Sequence, residues 1–251
     1  MNNLGRHVYG LAAIALGLIG LWWGDFASVW QPVPSGLAGR TALAYAASLI
    51  LLAGGAALQW RRTAKTASLG LAALYAIFML LWLRRVIGAP QIFGTWSGCA
   101  EQLALVVGGI VSFASLQETA RAIQMARVGR VVFGLCLVAF GTAHFLYLPQ
   151  TAGMTPKWLP PSPTFWALAT GGAHVAGGMA LISGLYARLA ARLVTAMFAG
   201  FGLLVWLPQL VAHPAAHMVW SGNGINLALV GAVWVVGDAI QKLDLRTTLR
   251  L

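Results

Sequence analysis

The stretch WSGCAEQLALVVGG (Trp96–Gly109) returns in nearly the same form as WSGNGINLALVGA (Trp220–Ala232). The second copy starts 124 residues after the first, at position 220 against position 96. The same offset places Trp82 on Trp206, well outside the two stretches. A repeat of this length predicts a tandem duplication, in which two copies of one structural unit follow each other along the chain.

The composition points to a protein embedded in a membrane. Of the 251 residues, 59% are hydrophobic and only 8% are charged, whereas roughly 25% of an average soluble domain is charged. The apolar runs have about the ~20 residues that a helix needs to cross a bilayer. We therefore predict an all-α polytopic membrane protein with eight transmembrane helices, at residues 8–24, 41–59, 67–83, 98–117, 131–148, 164–184, 190–207 and 222–240.

The repeated unit contains four of these spans. Because four is an even number, both copies enter the membrane from the same side, and an axis along the membrane normal relates them. We expect two parallel-related four-helix bundles. Residues 1–117 form the first unit, residues 118–130 form a cytoplasmic joint, and residues 131–251 form the second unit.

The membrane topology accounts for the net charge of +11, so the charge does not require a nucleic-acid partner. With a cytoplasmic N-terminus, 12 of the 16 Lys and Arg residues fall in cytoplasmic segments and 4 in outer segments. Because cytoplasmic loops carry an excess of basic residues, the distribution predicts that both termini are cytoplasmic. The expected partner of most of the surface is the lipid bilayer.

One acidic residue lies within a predicted span. Glu101 is about one turn into the fourth span, where an ionised carboxylate is costly unless it meets a partner or a wet cavity. Arg84 and Arg85, at the outer end of the third span, lie at a suitable depth to pair with it. Two interpretations stay open, a structural ion pair and a charged floor for the polar head of a ligand.

Histidines and amides are the other polar candidates within the spans. His144 and His174 fall in spans five and six, at depths that differ by about 8 Å at ~1.5 Å per residue. This difference argues against a haem held between them. Gln102 and Asn226 are matched amides of the repeated motif. They either bond neighbouring helices or contact a carbonyl-bearing ligand such as a quinone.

Several kinds of chemistry find no support in the sequence. His213 and His217 are four residues apart, but no cysteine or acidic residue lies nearby to complete a metal site. The sequence also lacks a phosphate-binding loop, a dinucleotide fingerprint, a zinc-protease motif and a nucleophile elbow. We predict no metal site, and no catalytic residue is identified.

The second half resembles the DoxX family of small four-helix bacterial membrane proteins. The likeness rests on GTAHFLYLPQTAGMTPKWLPPSPTFWALATGGAHVAGGMALISGLYARLAARL, residues 141–193, with its proline-rich loop, glycine-rich helix and GLYAR exit. The first half resembles the family through LLAGGAALQWRRTAKTA, residues 51–67. This resemblance implies a bacterial inner-membrane protein associated with redox work, including quinone reduction. Because the sequence shows no obvious bound redox centre, we expect electrons to arrive from an electron-donating partner subunit.

Two functional hypotheses follow. The first is a redox-associated membrane subunit whose outer-facing cavity binds a quinone. The second is a non-enzymatic scaffold or carrier for a small hydrophobic molecule. Whether the protein is an enzyme stays open. The expected ligand contacts are Glu101, Arg84, Arg85, His144, His174, Gln102 and Asn226.

Overall fold

A computed structural model describes residues 4–27 and 29–248 of the chain. Within these ranges the protein is all-helical, without strands, and eight helices are long and apolar enough to cross a membrane. The predicted fold class and the number and order of the spans are thereby confirmed. These helices are α1 (Leu4–Trp23), α2 (Arg40–Ala57), α3 (Ala64–Gly88), α4 (Phe93–Ser115), α5 (Ala120–Leu146), α7 (Pro163–Ser183), α8 (Ala187–Phe201) and α10 (His217–Thr248).

Two short helices complete the described chain. Helix α6 (Leu148–Met154) follows α5, and α9 (Leu207–Ala212) continues α8 after a π-helical segment at Gly202–Trp206. Helix α8, this segment and α9 form one span. Pro208 explains the break, because a proline has no N–H to donate and its ring clashes with the carbonyl four residues earlier, here that of Leu204. The α6 end is the end of the bundle that carries α6 and α9.

Helix α5 begins eleven residues before the predicted start of the fifth span at residue 131, since its first residue is Ala120. The Thr119 side chain caps this start by accepting a hydrogen bond from the Ala122 backbone N–H, at 3.1 Å. Hydropathy marks where a helix meets lipid, whereas capping marks where the helix itself begins. Most of the predicted joint is therefore helical.

The first and last helices of each half pack against the other half. Helix α1 packs most extensively on α10 and α2, and α4 packs most extensively on α3 and α5. Helices α4 and α10 also pack against each other at the centre of the molecule. Side chains of α4 therefore reach the space between helices of the second half.

Glycine pairs bring neighbouring helices into backbone contact. A Cβ atom at Gly178 of α7 would lie 2.6 Å from the carbonyl oxygen of Gly134 in α5. Gly55 of α2 faces the carbonyl of Gly10 in α1 in the same way. Gly10 and Gly134 are 124 residues apart, and Gly55 and Gly178 are 123 apart. The same helix contact thus occurs in both halves.

A tryptophan hydrogen bond also recurs with the repeat. The indole N–H of Trp96 donates to the Pro90 carbonyl at 3.0 Å, and that of Trp220 donates to the Pro214 carbonyl at 2.8 Å. Each bond ties the start of a helix, α4 or α10, to the loop before it. The offset of 124 residues holds for both partners of the bond.

Candidate functional site

A cavity of about 430 Å³ opens between α5, α7, α8 and α10, near the α6 end. Most of its lining is apolar, and α6 and the loop after it contribute Met154, Pro156 and Leu159. Four polar groups stand out on its wall. They are Glu101, His144, His174 and Asn226. The cavity therefore gathers four of the seven ligand contacts that the sequence predicts.

The two histidines form a contact pair on the cavity wall. The ring centroids of His144 and His174 lie 4.8 Å apart. The predicted depth difference of about 8 Å between them was wrong. The predicted depths assumed that α5 and α7 end at the same level of the membrane. The start of α7 extends beyond the end of α5, and His144 therefore lies level with Ala167 and Thr170. Rings in such close contact leave no space for a haem between them.

Backbone carbonyls fix the orientation of both rings. Nδ1 of His174 lies 2.8 Å from the carbonyl oxygen of Thr170, one helical turn earlier. Nδ1 of His144 lies 3.2 Å from the carbonyl oxygen of Ala167 and 3.2 Å from the hydroxyl of Thr170. Nε2 of either ring has no hydrogen-bond partner among the described residues. Both rings therefore keep one nitrogen available to a ligand.

Aromatic side chains surround the pair. The His174 ring centroid lies 5.5 Å from that of Phe198 and 6.1 Å from that of Phe140. Phe201 lies 5.9 Å from the same ring and directly precedes the π-helical segment. Such π-helical turns are frequent at functional sites because they redirect side chains. Here the segment brings Leu204, Val205 and Trp206 to the cavity wall.

Glu101 reaches the cavity from the first half of the chain. It lies on α4, which packs between α5 and α10, and it is half-buried. Its carboxyl group interacts with the side chain of Trp30, which also lines the cavity. Ser97, one turn earlier on α4, is the third first-half residue on the wall. The cavity is therefore shared between the two halves.

Neither arginine that we expected beside Glu101 lies at the cavity. Arg84 and Arg85 are exposed, and the Arg85 guanidinium lies 5.0 Å from the ring centroid of Trp82. Among the described residues Glu101 has no ion pair, so the predicted pairing was wrong. Because Trp82 and Val86 point into the bundle, the helical turn places residues 84 and 85 on the opposite face.

The two matched amides have different surroundings. Asn226 lines the cavity and donates a hydrogen bond from Nδ2 to the carbonyl oxygen of Phe198, at 3.0 Å. Gln102 is a fully buried residue of α4 that does not line the cavity, and neither of its amide atoms has a partner among the described residues. Asn226 thus fixes α8 against α10 at the site.

Thr170 is not among the predicted site residues, although it contacts His144 and its carbonyl orients His174. The spacing of four residues between Thr170 and His174 is the signal that places them on one helical face. No such signal exists for Trp30, because its position at the cavity depends on packing between the halves.

The first half has a much smaller cavity at the equivalent place, of about 10 Å³. Its wall includes Gly20 and Leu51, which the offsets of 124 and 123 align with His144 and His174. Phe78, aligned with Gly202 of the π-helical segment, is buried in the first half, 6.0 Å from the ring of Phe26. The first half therefore lacks both imidazoles and the space beside them.

A comparison with protein families adds to this geometry. Residues 125–207 match the DoxX family model. This part of the chain is therefore similar to the DoxX family, and the eight apolar helices indicate an integral membrane protein. No curated protein and no solved structure gives a match to the chain.

The DoxX match covers the part of the site that carries the histidines. It includes α6, α7, α8 and nearly all of α5, hence His144, Thr170 and His174. Glu101 and Asn226 lie outside the matched residues. In the described ranges, no group of three His, Cys, Asp or Glu side chains is arranged to hold a metal ion.

Proposed function

We propose that this DoxX-like protein binds a lipid-soluble quinone in the cavity and acts as the membrane subunit of a redox system. The observation that carries the proposal is the pair of imidazoles, His144 and His174, on the wall of an otherwise apolar cavity. Ligand sites for small organic molecules combine apolar walls with a few convergent polar groups, in volumes of about 300–1,000 Å³. The cavity of about 430 Å³ lies in this range.

The polar groups suit the proton chemistry of a quinone. Reduction of a quinone to a quinol takes up two electrons and two protons, and oxidation returns them. Imidazole and carboxyl groups exchange protons near neutral pH when they lie within hydrogen-bond reach of the ligand. His144, His174 and Glu101 are the groups placed to do so. The electrons for the reduction come from an electron-donating partner subunit.

The proposed setting is the inner membrane of a bacterium, with both termini in the cytoplasm. The excess of basic residues in one set of connections supports this orientation. It places the α6 end, and with it the cavity, on the outer side of the membrane.

We also propose that the chain arose by tandem duplication of a four-helix unit. The recurrence of the glycine contact and of the tryptophan hydrogen bond at the same offset supports this origin. In this view the second unit kept the ligand site, whereas its counterpart in the first unit has Gly20 and Leu51 in place of the histidines and a volume of only about 10 Å³.

The decisive experiment is mass spectrometry of an organic extract from the purified protein. An unrelated membrane protein in the same detergent serves as the control for adventitious lipid. We expect about one quinone per chain in the wild-type protein. His174→Leu should abolish this quinone binding. His213→Leu is the matched control, because His213 is exposed in the loop before α10.

Two results would contradict the quinone proposal. Quinone at the level of the unrelated protein would remove its basis, provided that circular dichroism shows the helices intact. Near-stoichiometric recovery of a different hydrophobic molecule would favour the alternative, a carrier or scaffold without redox function.

A further inference from the structure

We infer that the cavity selects a ligand whose head group donates hydrogen bonds, so that of a quinone couple it binds the quinol in preference to the quinone. This inference rests on the proposed function and deepens it. It follows from a count of the hydrogen-bond donors and acceptors that the cavity wall leaves unused.

The histidines offer acceptors. A backbone carbonyl only accepts hydrogen bonds. The contacts of His174 Nδ1 with the Thr170 carbonyl and of His144 Nδ1 with the Ala167 carbonyl therefore require a hydrogen on Nδ1 of each ring. In a neutral ring the other nitrogen, Nε2, then carries a lone pair and accepts. Two adjacent acceptors result, on rings whose centroids are 4.8 Å apart.

The hydroxyl groups near the histidines have already used their hydrogens. Thr170 donates to the Trp166 carbonyl at 2.7 Å, and Thr151 donates to the Tyr147 carbonyl at 3.0 Å. Both bonds run back along the residue's own helix. What these hydroxyls still offer the cavity is a lone pair.

The other polar side chains extend the pattern. The Nδ2 group of Asn226 donates one of its two hydrogens to the Phe198 carbonyl, so this amide still offers one N–H donor and its Oδ1 acceptor. The indole N–H of Trp166 donates to the Pro160 carbonyl at 2.9 Å. Glu101 in its ionised form accepts only. Ser97, Trp206 and the second Nδ2 hydrogen of Asn226 keep donors that no described residue uses, and none of these donors belongs to the histidine pair.

This distribution of hydrogen-bond donors and acceptors discriminates between a quinol and the corresponding quinone. A quinol has two O–H groups that donate to Nε2 of His144 or His174, or to Glu101. A quinone has two carbonyl oxygens, which only accept, and a carbonyl oxygen placed against the histidine pair would face lone pairs. A buried polar group without a partner weakens binding by about 5- to 150-fold. Preferential binding of the quinol also raises the reduction potential of the bound couple, because it stabilises the reduced form.

The test compares three ligands of nearly the same shape on the full-length protein in nanodiscs, without oxygen. They are a short-chain ubiquinol, the matching ubiquinone, and the quinol with both hydroxyls methylated, which has lost both donors. Equilibrium dialysis gives each Kd. We expect the quinol to bind at least about tenfold more tightly than the other two. This difference in Kd is the effect of one additional polar group that has a hydrogen-bond partner.

The possible results separate the two proposals. Equal or tighter binding of the quinone, or equal binding of the methylated ligand, overturns the selection of a donor head and leaves quinone-couple binding intact. Binding of none of the three, with the helices intact, overturns both. A second measurement uses His174→Asn, whose amide offers an N–H donor to the ligand. This variant should narrow the difference between quinol and quinone, and an unchanged ratio would contradict the role of His174 Nε2.

Discussion

Gly134 and Gly178 bring the backbones of α5 and α7 into direct contact, and this contact holds His144 against His174. A Cβ atom at Gly178 would lie 2.6 Å from the Gly134 carbonyl oxygen and would force the two helices apart. His144 lies between Gly134 and the α6 end on α5, and His174 lies between Gly178 and the same end on α7. Close packing of α5 on α7 is therefore a condition for the site as well as for the fold.

We predict that Gly178→Ala lowers stability and weakens ligand binding together. Overpacking a helix contact of this kind costs about 1–3 kcal/mol. Gly172→Ala is the matched control on the same helix, because a Cβ there meets nothing within 4 Å. Alanine has a higher helix propensity than glycine, so the control substitution should be neutral or slightly stabilising. Thermal unfolding in detergent measures both, and equal melting temperatures would contradict the contact.

We predict that Gly202→Phe closes the cavity. This substitution gives the second half the residue, Phe78, that occupies the aligned position in the first half. A Cβ at Gly202 would already lie 2.9 Å from Nδ2 of Asn226, so a phenyl ring would displace Asn226 into the cavity. Ligand recovery should fall to the level of the unrelated control protein.

The control for this experiment is Gly70→Phe, at an exposed position of α3 where a Cβ meets no neighbour. It adds the same ring to the surface of the bundle and should leave the ligand bound. Full ligand recovery in Gly202→Phe would show that the space beside the π-helical segment does not belong to the site.

Much of the fold was predictable, since the thickness of a bilayer fixes the length of an apolar helix. Hydropathy therefore identified the eight spans. It carries no information on which helix packs on which, because a residue facing lipid and one facing another helix are equally apolar. The packing of α1 on α10 and of α4 on α5 could not be read from it.

The site was predictable in part for the same reason. Glu101, His144 and His174 attract notice because polar groups are expensive in a membrane, and all three line the cavity. The pairing of Glu101 with Arg84 or Arg85 was wrong, because matching depth does not establish that two side chains share a helix face. The π-helical segment depends on a local clash at Pro208, which hydropathy does not register.

We predict that Glu101→Gln weakens quinol binding by about tenfold, since it replaces a charge-assisted hydrogen bond by a neutral one. Arg84→Gln and Arg85→Gln should leave the Kd unchanged, because both arginines lie away from the cavity. Equilibrium dialysis of the quinol measures all three variants. If either arginine variant lost as much binding as Glu101→Gln, the result would support an ion pair between Glu101 and that arginine and contradict the structure.

We predict that neither half of the chain forms the site alone. Dividing the chain after Gln117, in the connection between α4 and α5, keeps every helix whole. The second half then lacks Glu101, Ser97 and Trp30 on its cavity wall, and α10 loses the surface that it buries against α1. Co-expressed halves should associate and retain ligand, whereas the second half alone should retain none. Copurification through a tag on one half, followed by ligand extraction, measures both. Stoichiometric ligand on the isolated second half would show that the site does not depend on the packing between the halves.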